Sequence, residues 1–442
     1  METSLKIFRD PIHNVIDLDT GDKSVNGLLT RLIDSAEFQR LRFIRQLGFA
    51  YFAFPGAVHT RFEHSLGVAF LAKRFLEKII SMEEKVMETH HEPQRRELFA
   101  AFFDRMKRDG PFIIVAALLH DIGHGPLSHV TEELTGVKHE KWVEAVLTGD
   151  TEVRAILAGY DKDCPRAVAD LLTNPDASSG PAKIIAGQLD IDRIDYLLRD
   201  SAMTGAGYGK FDVEWLLNVL TVGVWDGRVE IGLDLGKGLS VAEAFVMARV
   251  YMFKNIYLHK TSLVAQDMLR LLIARVRALP RAETDAFFPD KGIRRLFYED
   301  DPSPEELLPE YLALTDVDLF YHLKLMRAAD DPIVRRLADG LVRRDLFKET
   351  DPADWDGVRN YIRKAKGPDA EQYYATALTI DARQDKLSYR AGRDMVFLFD
   401  KNGEGHELLE TSDIILPAAR TERPAPALYA DAELYRAYLR EK

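Results

Sequence analysis

"ALLHDIGHGPLSH", residues 117–129, sets three histidines and an aspartate directly behind the apolar run "FIIVAALL" at 112–119. That run is far shorter than the roughly 20 residues a bilayer span needs, so it is expected to be a buried helix. Ionisable groups at the end of a buried helix lose their hydration, and an ion bound among them would offset that cost. Neutral imidazole and ionised carboxylate are both metal ligands. His120 and Asp121 are adjacent, so they converge on one ion only where the helix opens. Gly123, Gly125 and Pro126 supply the break, and the four-residue spacing of His120 and His124 predicts a shared helical face.

Two further segments can complete a site. "HTRFEHSLGV" at 59–68 brings His64, and "LDIDRIDYLLRD" at 189–200 brings Asp192. Two nitrogens and two oxygens suit Mn, Fe, Mg or Zn and leave coordination positions for water and a phosphate, the requirement of metal-assisted hydrolysis. Arg61 stands three residues before His64, where a guanidinium fork can take two phosphate oxygens. Asp192, Tyr196 and Asp200 recur every four residues with Arg193 alongside, so one helix face carries a ligand, a ring, a second carboxylate and a cation.

At 442 residues the chain exceeds what one core usually supports, which predicts two or three packed units. A formal net charge of −12 argues against a protein that coats nucleic acid through bulk charge, although a local basic pocket can still take small anions. Cys164 is the only cysteine, which excludes an intrachain disulfide or a cysteine-built zinc site and fits a reducing compartment. The charged start "METSLKIFRDPIH" has no apolar secretory core, so a cytoplasmic location and no membrane partner are expected.

Periodicity predicts helices over 35–47, 62–82, from Pro111 onward, and over 182–200. A hairpin is expected to turn at Asp226-Gly227, followed by a long helix opened by a Ser240–Glu243 capping box and ending near 279. Clustered prolines and acids in "LPRAETDAFFPDKG" and "YEDDPSPEELLPE" then mark a soft boundary. Beyond it, helices are expected over 316–345, strands in "ATALTIDA" and "DMVFLFDKNGEGHELLE", and a linker, "LPAARTERPAPALYA", to a short terminal helix. The fold expected is mostly α with small hairpins: a catalytic core over 1–280, a helical and α+β region over 281–420, and a linker with terminal helix over 421–442.

"DPIHNVIDL", "LIDSAEFQRLRFIRQLGFAYFAFPGAVHTRFEHSLGV", "LLHDIGHGPLSH" and "DIDRIDYLLRDS" resemble the HD superfamily of metal phosphohydrolases, in the branch of the deoxynucleoside triphosphate triphosphohydrolases. The resemblance implies hydrolysis of dNTPs to deoxynucleoside and triphosphate at one divalent metal on His64, His120, Asp121 and Asp192, with a second magnesium arriving with the nucleotide. It places His124, His129, His139 and Glu132 in the catalytic pocket, with His129 as proton donor. Gln46, Leu47, Tyr196 and Asp200 would meet the sugar, and Arg61, Arg193, Arg249 and Lys254 the phosphates. Asp34 and Arg42 fall where a regulatory nucleotide is recognised, and Asp10 and Arg9 could reach the same site, though Arg9 replaces a small polar residue. A homo-oligomer, a tetramer or dimer of dimers, is implied. Leu258 and Phe253 stand where a vertebrate member carries a glutamine and a histidine. The SAM domain of that member is not expected in a chain that opens at "DPIH". Two rival readings share the same residues: a phosphodiesterase or nuclease acting on oligonucleotides or cyclic dinucleotides, and a nucleotide-sensing binding module. Nucleotide balance and starvation of an invading phage are alternative purposes.

Overall fold

A computed structural model describes residues 6–173, 181–187, 189–289, 291–298, 303–378, 395–415 and 427–442. It is mostly α-helical, with small sheets of two to four strands. The scaffold of the centre is the antiparallel packing of helix Arg61–Ser81 on helix Pro93–Leu119, with helix Ile191–Thr204 laid against the first. "FIIVAALL" is helical, and Ile113 to Leu119 are buried as expected.

That helix does not begin at Pro111. It begins at Pro93 and carries Pro111 inside. Phe99, Phe102, Phe103 and Met106 continue the buried stripe of Ile113, and this burial outweighs the roughly 3 kcal/mol that an interior proline costs. The helix ends at Leu119, so His120 and His124 do not share a helical face; His124 lies in the turns that follow.

The expected helix over 35–47 is also shorter. Ala36–Arg40 is helical and Leu41–Phe43 tightens into a 3₁₀ turn, after which Ile44 is extended. There Arg61 N donates to Ile44 O at 3.0 Å and Gln46 N to His59 O at 3.1 Å, so cross-chain pairing replaces the last helical turns. The 182–200 helix divides into Pro181–Ala186 and Ile191–Thr204, because Asp190 caps the second by accepting from Arg193 N.

Asp226 and Gly227, both at positive φ (48° and 72°), join strands Leu220–Trp225 and Arg228–Asp234 as the hairpin reading requires. Ser240 caps nothing. Asp234 caps helix Leu235–Met252 by accepting from Lys237 N, and Glu243 instead accepts from Ser412 Oγ at 2.6 Å. The long helix is interrupted by a π segment, Phe253–Tyr257, and restarts at Lys260–Ala278, capped by His259.

The chain beyond 280 packs back on the first part at many places, among them a shared sheet and a clasp on the loop after His120. Strand Phe397–Phe399 pairs in parallel with Arg228–Asp234, Leu233 opposite Leu398. Tyr311 Oη donates to Gly123 O at 2.8 Å, and Asp316 Oδ1 accepts from Leu127 N at 2.8 Å, clasping the loop after His120. Helices Asp316–Met326 and Pro332–Arg343 and strands Ala375–Leu378, Phe397–Phe399 and Gly405–Glu407 occupy the segments where they are expected. The expected linker falls largely on 416–426, outside the described residues.

Candidate metal centre and active site

Helix Arg61–Ser81 starts with a Thr60–Glu63 capping box, which sets Arg61 and His64 on its first turns. His64 is fully buried, and its two ring nitrogens do different work. Nδ1 lies 2.8 Å from Asp195 Oδ2 and Nε2 lies 3.0 Å from Asp192 Oδ1. His120 Nδ1 lies 2.8 Å from the Ala117 carbonyl, and its Nε2 lies 3.2 Å from His64 Nε2. A carboxylate and a carbonyl only accept, so both Nδ1 atoms donate, and each ring in its neutral form would aim an Nε2 lone pair at the same point. Asp121 adds carboxylate oxygens 3.4 Å from His120 Nε2 and 3.7 Å from His64 Nε2.

Two imidazoles and two carboxylates crowded together need positive charge among them, from a ring proton or a metal ion. The donor set of His64, His120, Asp121 and Asp192 therefore fits a divalent metal, and the ligand atoms of His64, His120 and Asp192 all lie within 4.8 Å of one another. The surrounding carboxylates favour positive charge at this point, supplied by a ring proton or by a metal ion. Burial disfavours the charged form of His64, yet its bonds to Asp192 and Asp195 outweigh burial and lift it to about 10. His120 is raised against burial by Asp121 and Asp192. Burial also opposes ionisation of Asp121, but Arg61, His120 and His124 hold it well below the usual carboxylate range.

Arg61 anchors the other side of Asp121, donating Nη1 to Asp121 Oδ2 and Nε to Ser128 Oγ, the latter at 2.9 Å. Leu127 and Ser128 both adopt positive φ, 52° and 59°, a conformation costly for side-chain-bearing residues. Asp316 and Arg45 bind the two and hold them there: Ser128 Oγ donates to Arg45 O at 2.9 Å.

A second cluster adjoins the first. The rings of His124 and His139 stack with centroids 4.0 Å apart, Glu132 Oε1 accepts from His139 Nδ1 at 2.7 Å, and His124 Nε2 lies 3.3 Å from Asp121 Oδ1. Burial, with Arg61 and His139 nearby, keeps His124 well below the usual imidazole range despite the pull of Asp121. His129 opens helix His129–Thr135, but its side chain lies outside the described residues.

On helix Ile191–Thr204, Asp192, Tyr196 and Asp200 follow one another along a face. Burial pushes Tyr196 up to about 12, and its ring lies 6.1 Å from Tyr257. Asp200 is buried with both oxygens engaged, accepting from His59 Nε2 at 2.7 Å and Tyr257 Oη at 2.8 Å. Arg193 folds back onto Gly187 O and Asp190. Burial lifts Asp190 to about 7 although Arg193 opposes it. Gln46 is half-buried and its Oε1 is a buried acceptor with no partner among the described residues. Leu47 beside it is half-buried, Arg249 is buried, and Lys254 is exposed on the π segment.

Asp34 and Arg42 are exposed, and each has a local partner. Asp34 accepts from Lys6 Nζ, whereas Arg42 donates to Gln39 Oε1 at 2.8 Å and lies over the Phe62 ring. Arg9 donates to Asn14. Asp10 faces inward, where the buried Arg199 holds its carboxylate 2.7 Å from Nη1.

Sequence reasoning missed His13, His59, Asp195, Arg199 and Tyr257. Asp195 stands three residues after Asp192 and four before Arg199, a helical spacing that could have found both; His59 and Tyr257 carried no such signal.

The candidate ligands run from His64 to Asp192, and residues 61–200 match the HD domain family model. That stretch is an HD domain. The chain is similar to uncharacterized protein YwfO of Bacillus subtilis, 29% identical over 97% of this chain and 93% of that one. It is also 26% identical to the deoxynucleoside triphosphate triphosphohydrolase SAMHD1 of Gallus gallus, over 82% of this chain and only 60% of that enzyme. Among solved structures, a phosphohydrolase from Bacteroides thetaiotaomicron shares the fold with a TM-score of 0.76 at 24% identity, covering 96% of this chain and 99% of that one. The described residues of this HD-domain chain contain no helix long and apolar enough to cross a membrane.

Proposed function

We propose that this protein hydrolyses deoxynucleoside triphosphates to deoxynucleoside and triphosphate. The observation that carries the reading is the convergence of His64, His120 and Asp192 beside Arg61-bound Asp121, with the Tyr196 and Gln46 side chains available for a sugar. A divalent metal held by His64, His120, Asp121 and Asp192 would polarise a phosphoryl oxygen and lower the pKa of water. The similarity to the chicken enzyme supports the choice of substrate.

The chain's own residues would do the rest. Arg61 orients Asp121 and presents guanidinium charge to the phosphate, joined by Arg193, Arg249 and Lys254. His124, held neutral, donates from Nε2 to Asp121 and keeps that carboxylate in place. Glu132 holds the Nδ1 proton of His139, which leaves Nε2 to take up or give a proton. We assign protonation of the departing 5′ oxygen to His129, with His139 and Glu132 orienting it. Gln46 Oε1 can accept from a sugar hydroxyl, and Leu47, Tyr196 and Asp200 complete the sugar wall.

Two extensions belong to the same reading. The first is a division into a catalytic core over 1–280, a supporting region over 281–420 and a terminal piece over 421–442. The second is a tetramer or dimer of dimers regulated by a nucleotide at the exposed Asp34 and Arg42.

The test is chromatography of products from each dNTP, alone and in mixtures, with Mn or Mg, beside single-stranded DNA and RNA. Deoxynucleoside and intact triphosphate are expected. Orthophosphate or pyrophosphate appearing first would overturn the dNTP reading, and shortened oligonucleotides with untouched dNTPs would establish the nuclease. Rates identical in single and mixed dNTPs, with a mass by light scattering that never responds, would remove the regulatory site.

A further inference from the structure

The "DPIH" turn at 10–13 has no part in the chemistry above, yet its last residue is linked through one carboxylate to a histidine of the metal centre. Asp10 Oδ1 accepts from the backbone N–H groups of Ile12 at 2.9 Å and His13 at 2.8 Å, which closes the turn joining strands Ile7–Asp10 and Asn14–Asp17. The His13 ring rests on Phe70 and reaches inward, with Nε2 2.7 Å from Asp195 Oδ1. Asp195 Oδ2 accepts from His64 Nδ1 at 2.8 Å.

Arg199 closes the frame. Its Nε and Nη2 donate to the two oxygens of Asp195 at 2.8 and 2.9 Å, and its Nη1 to Asp10 Oδ2 at 2.7 Å. The side chains of His13, Asp195, Arg199, Asp10 and His64 are all buried. Helix Arg61–Ser81 makes room for this frame at Gly67, three residues after His64 and on the same side. A Cβ at that position would fall 2.0 Å from Asp195 Oδ1 and 2.6 Å from Arg199 Nη2.

We propose that this frame is a positioning device for the metal centre, which makes the N-terminal hairpin a working part of the site. Asp195, held on both oxygens by His13 and Arg199, fixes His64 as the Nδ1–H tautomer and sets the ring so that the Nε2 lone pair faces His120 and Asp192. The inference rests on the metal reading above. Its physical basis is that an imidazole ligates only through the nitrogen without a proton, and the partner of the other nitrogen decides which one that is. A carboxylate with a fixed orientation also fixes the ring; with His13 gone, Asp195 loses one of the contacts that stop it turning. His13 touches no ligand atom at the centre, so it is a positioning residue and not a catalytic one.

The test titrates manganese(II) into EDTA-stripped full-length protein, reading free manganese by electron paramagnetic resonance, with melting of the metal-free protein followed in parallel. Asp195→Asn is expected to bind manganese about 10- to 100-fold more weakly, the range for partners of metal ligands. His13→Ala is expected to lose about 10-fold. His13→Gln, whose amide can donate from nearly the place of Nε2, is expected to recover most of that loss. If Asp195→Asn does not fold, the His13→Ala and His13→Gln pair carries the test alone. Wild-type manganese affinity in His13→Ala, whether or not its metal-free melting falls, would make the frame merely structural and overturn the proposal. A wild-type protein that binds no manganese, or a folded His120→Ala, Asp121→Ala double variant that binds it as well as wild type, would instead overturn the metal reading and this one with it.

Discussion

Helix Ile191–Thr204 and helix Pro332–Arg343 are similar in length, and both are capped by an aspartate, yet they bury opposite chemistry. The first takes Asp195, Arg199 and Asp200 into the interior, the two carboxylates accepting from His13, His59, His64, Tyr257 and Arg199, and Arg199 donating to Asp10. The second buries Ile333, Val334, Leu337, Ala338 and Leu341, and turns Asp339 and Arg343 toward the surface, where Arg327 and Arg343 meet Asp339. Buried ion pairs are weak sources of stability, because desolvation consumes most of their attraction, whereas apolar burial stabilises directly. The first helix is therefore organised around the site and the second around the fold.

The largest expected effect is on the first. His120→Ala with Asp121→Ala should abolish bound metal by elemental analysis and lower dNTP hydrolysis by more than about 100-fold, since even the partners of ligands are worth 10- to 100-fold. Wild-type metal occupancy in a folded double variant would break the comparison at its root. Next comes Leu337→Ala, expected to cost about 2–5 kcal/mol in urea unfolding while leaving metal affinity unchanged. A variant of normal stability, or one with weakened metal binding, would mean that the second helix also serves the site.

The caps sharpen the contrast further. Asp331→Ala should cost about 1 kcal/mol at pH 7 by removing the cap of helix Pro332–Arg343. Burial opposes ionisation of Asp331, but Arg275 and the backbone N–H groups of Val334 and Ile333 lower its pKa. Its contribution is thus complete above the unfolded carboxylate value of about 3.9 and is lost as pH falls through the lower folded value. The gap between wild type and variant in urea midpoints should narrow between pH 4 and pH 2 and not widen. The smallest effect is expected at the surface pair: Asp339→Asn should change stability by no more than about 0.5 kcal/mol, and a loss above 2 kcal/mol would show that its ion pairs are not the surface contacts described.

Much of this was legible beforehand because it is local. Residues 112–119 read as buried helix from their apolar character, the Asp226-Gly227 hairpin from its turn chemistry, and the grouping of His64, His120, Asp121 and Asp192 from ligand chemistry and resemblance. The errors lay where long-range packing outvoted a local signal. Pro111 reads as a helix start, but the stripe from Phe99 to Ile113 is buried on both sides of it. Ser240 and Glu243 read as a cap, but Asp234 stands at the end of a strand and takes that place.

By itself the sequence determined the mostly helical fold, the amphipathic and buried segments, and the residues whose chemistry can hold a metal, because each depends on side-chain type and short-range spacing. Only the tertiary structure decided which nitrogen of His64 and His120 faces the centre, and that Asp10 turns inward to Arg199. It alone brought His13, 182 residues distant from Asp195 in the chain, into the frame behind His64. Those outcomes rest on hydrogen bonds between groups far apart in sequence, whose geometry exists only after the helices have packed and water has left the space between them.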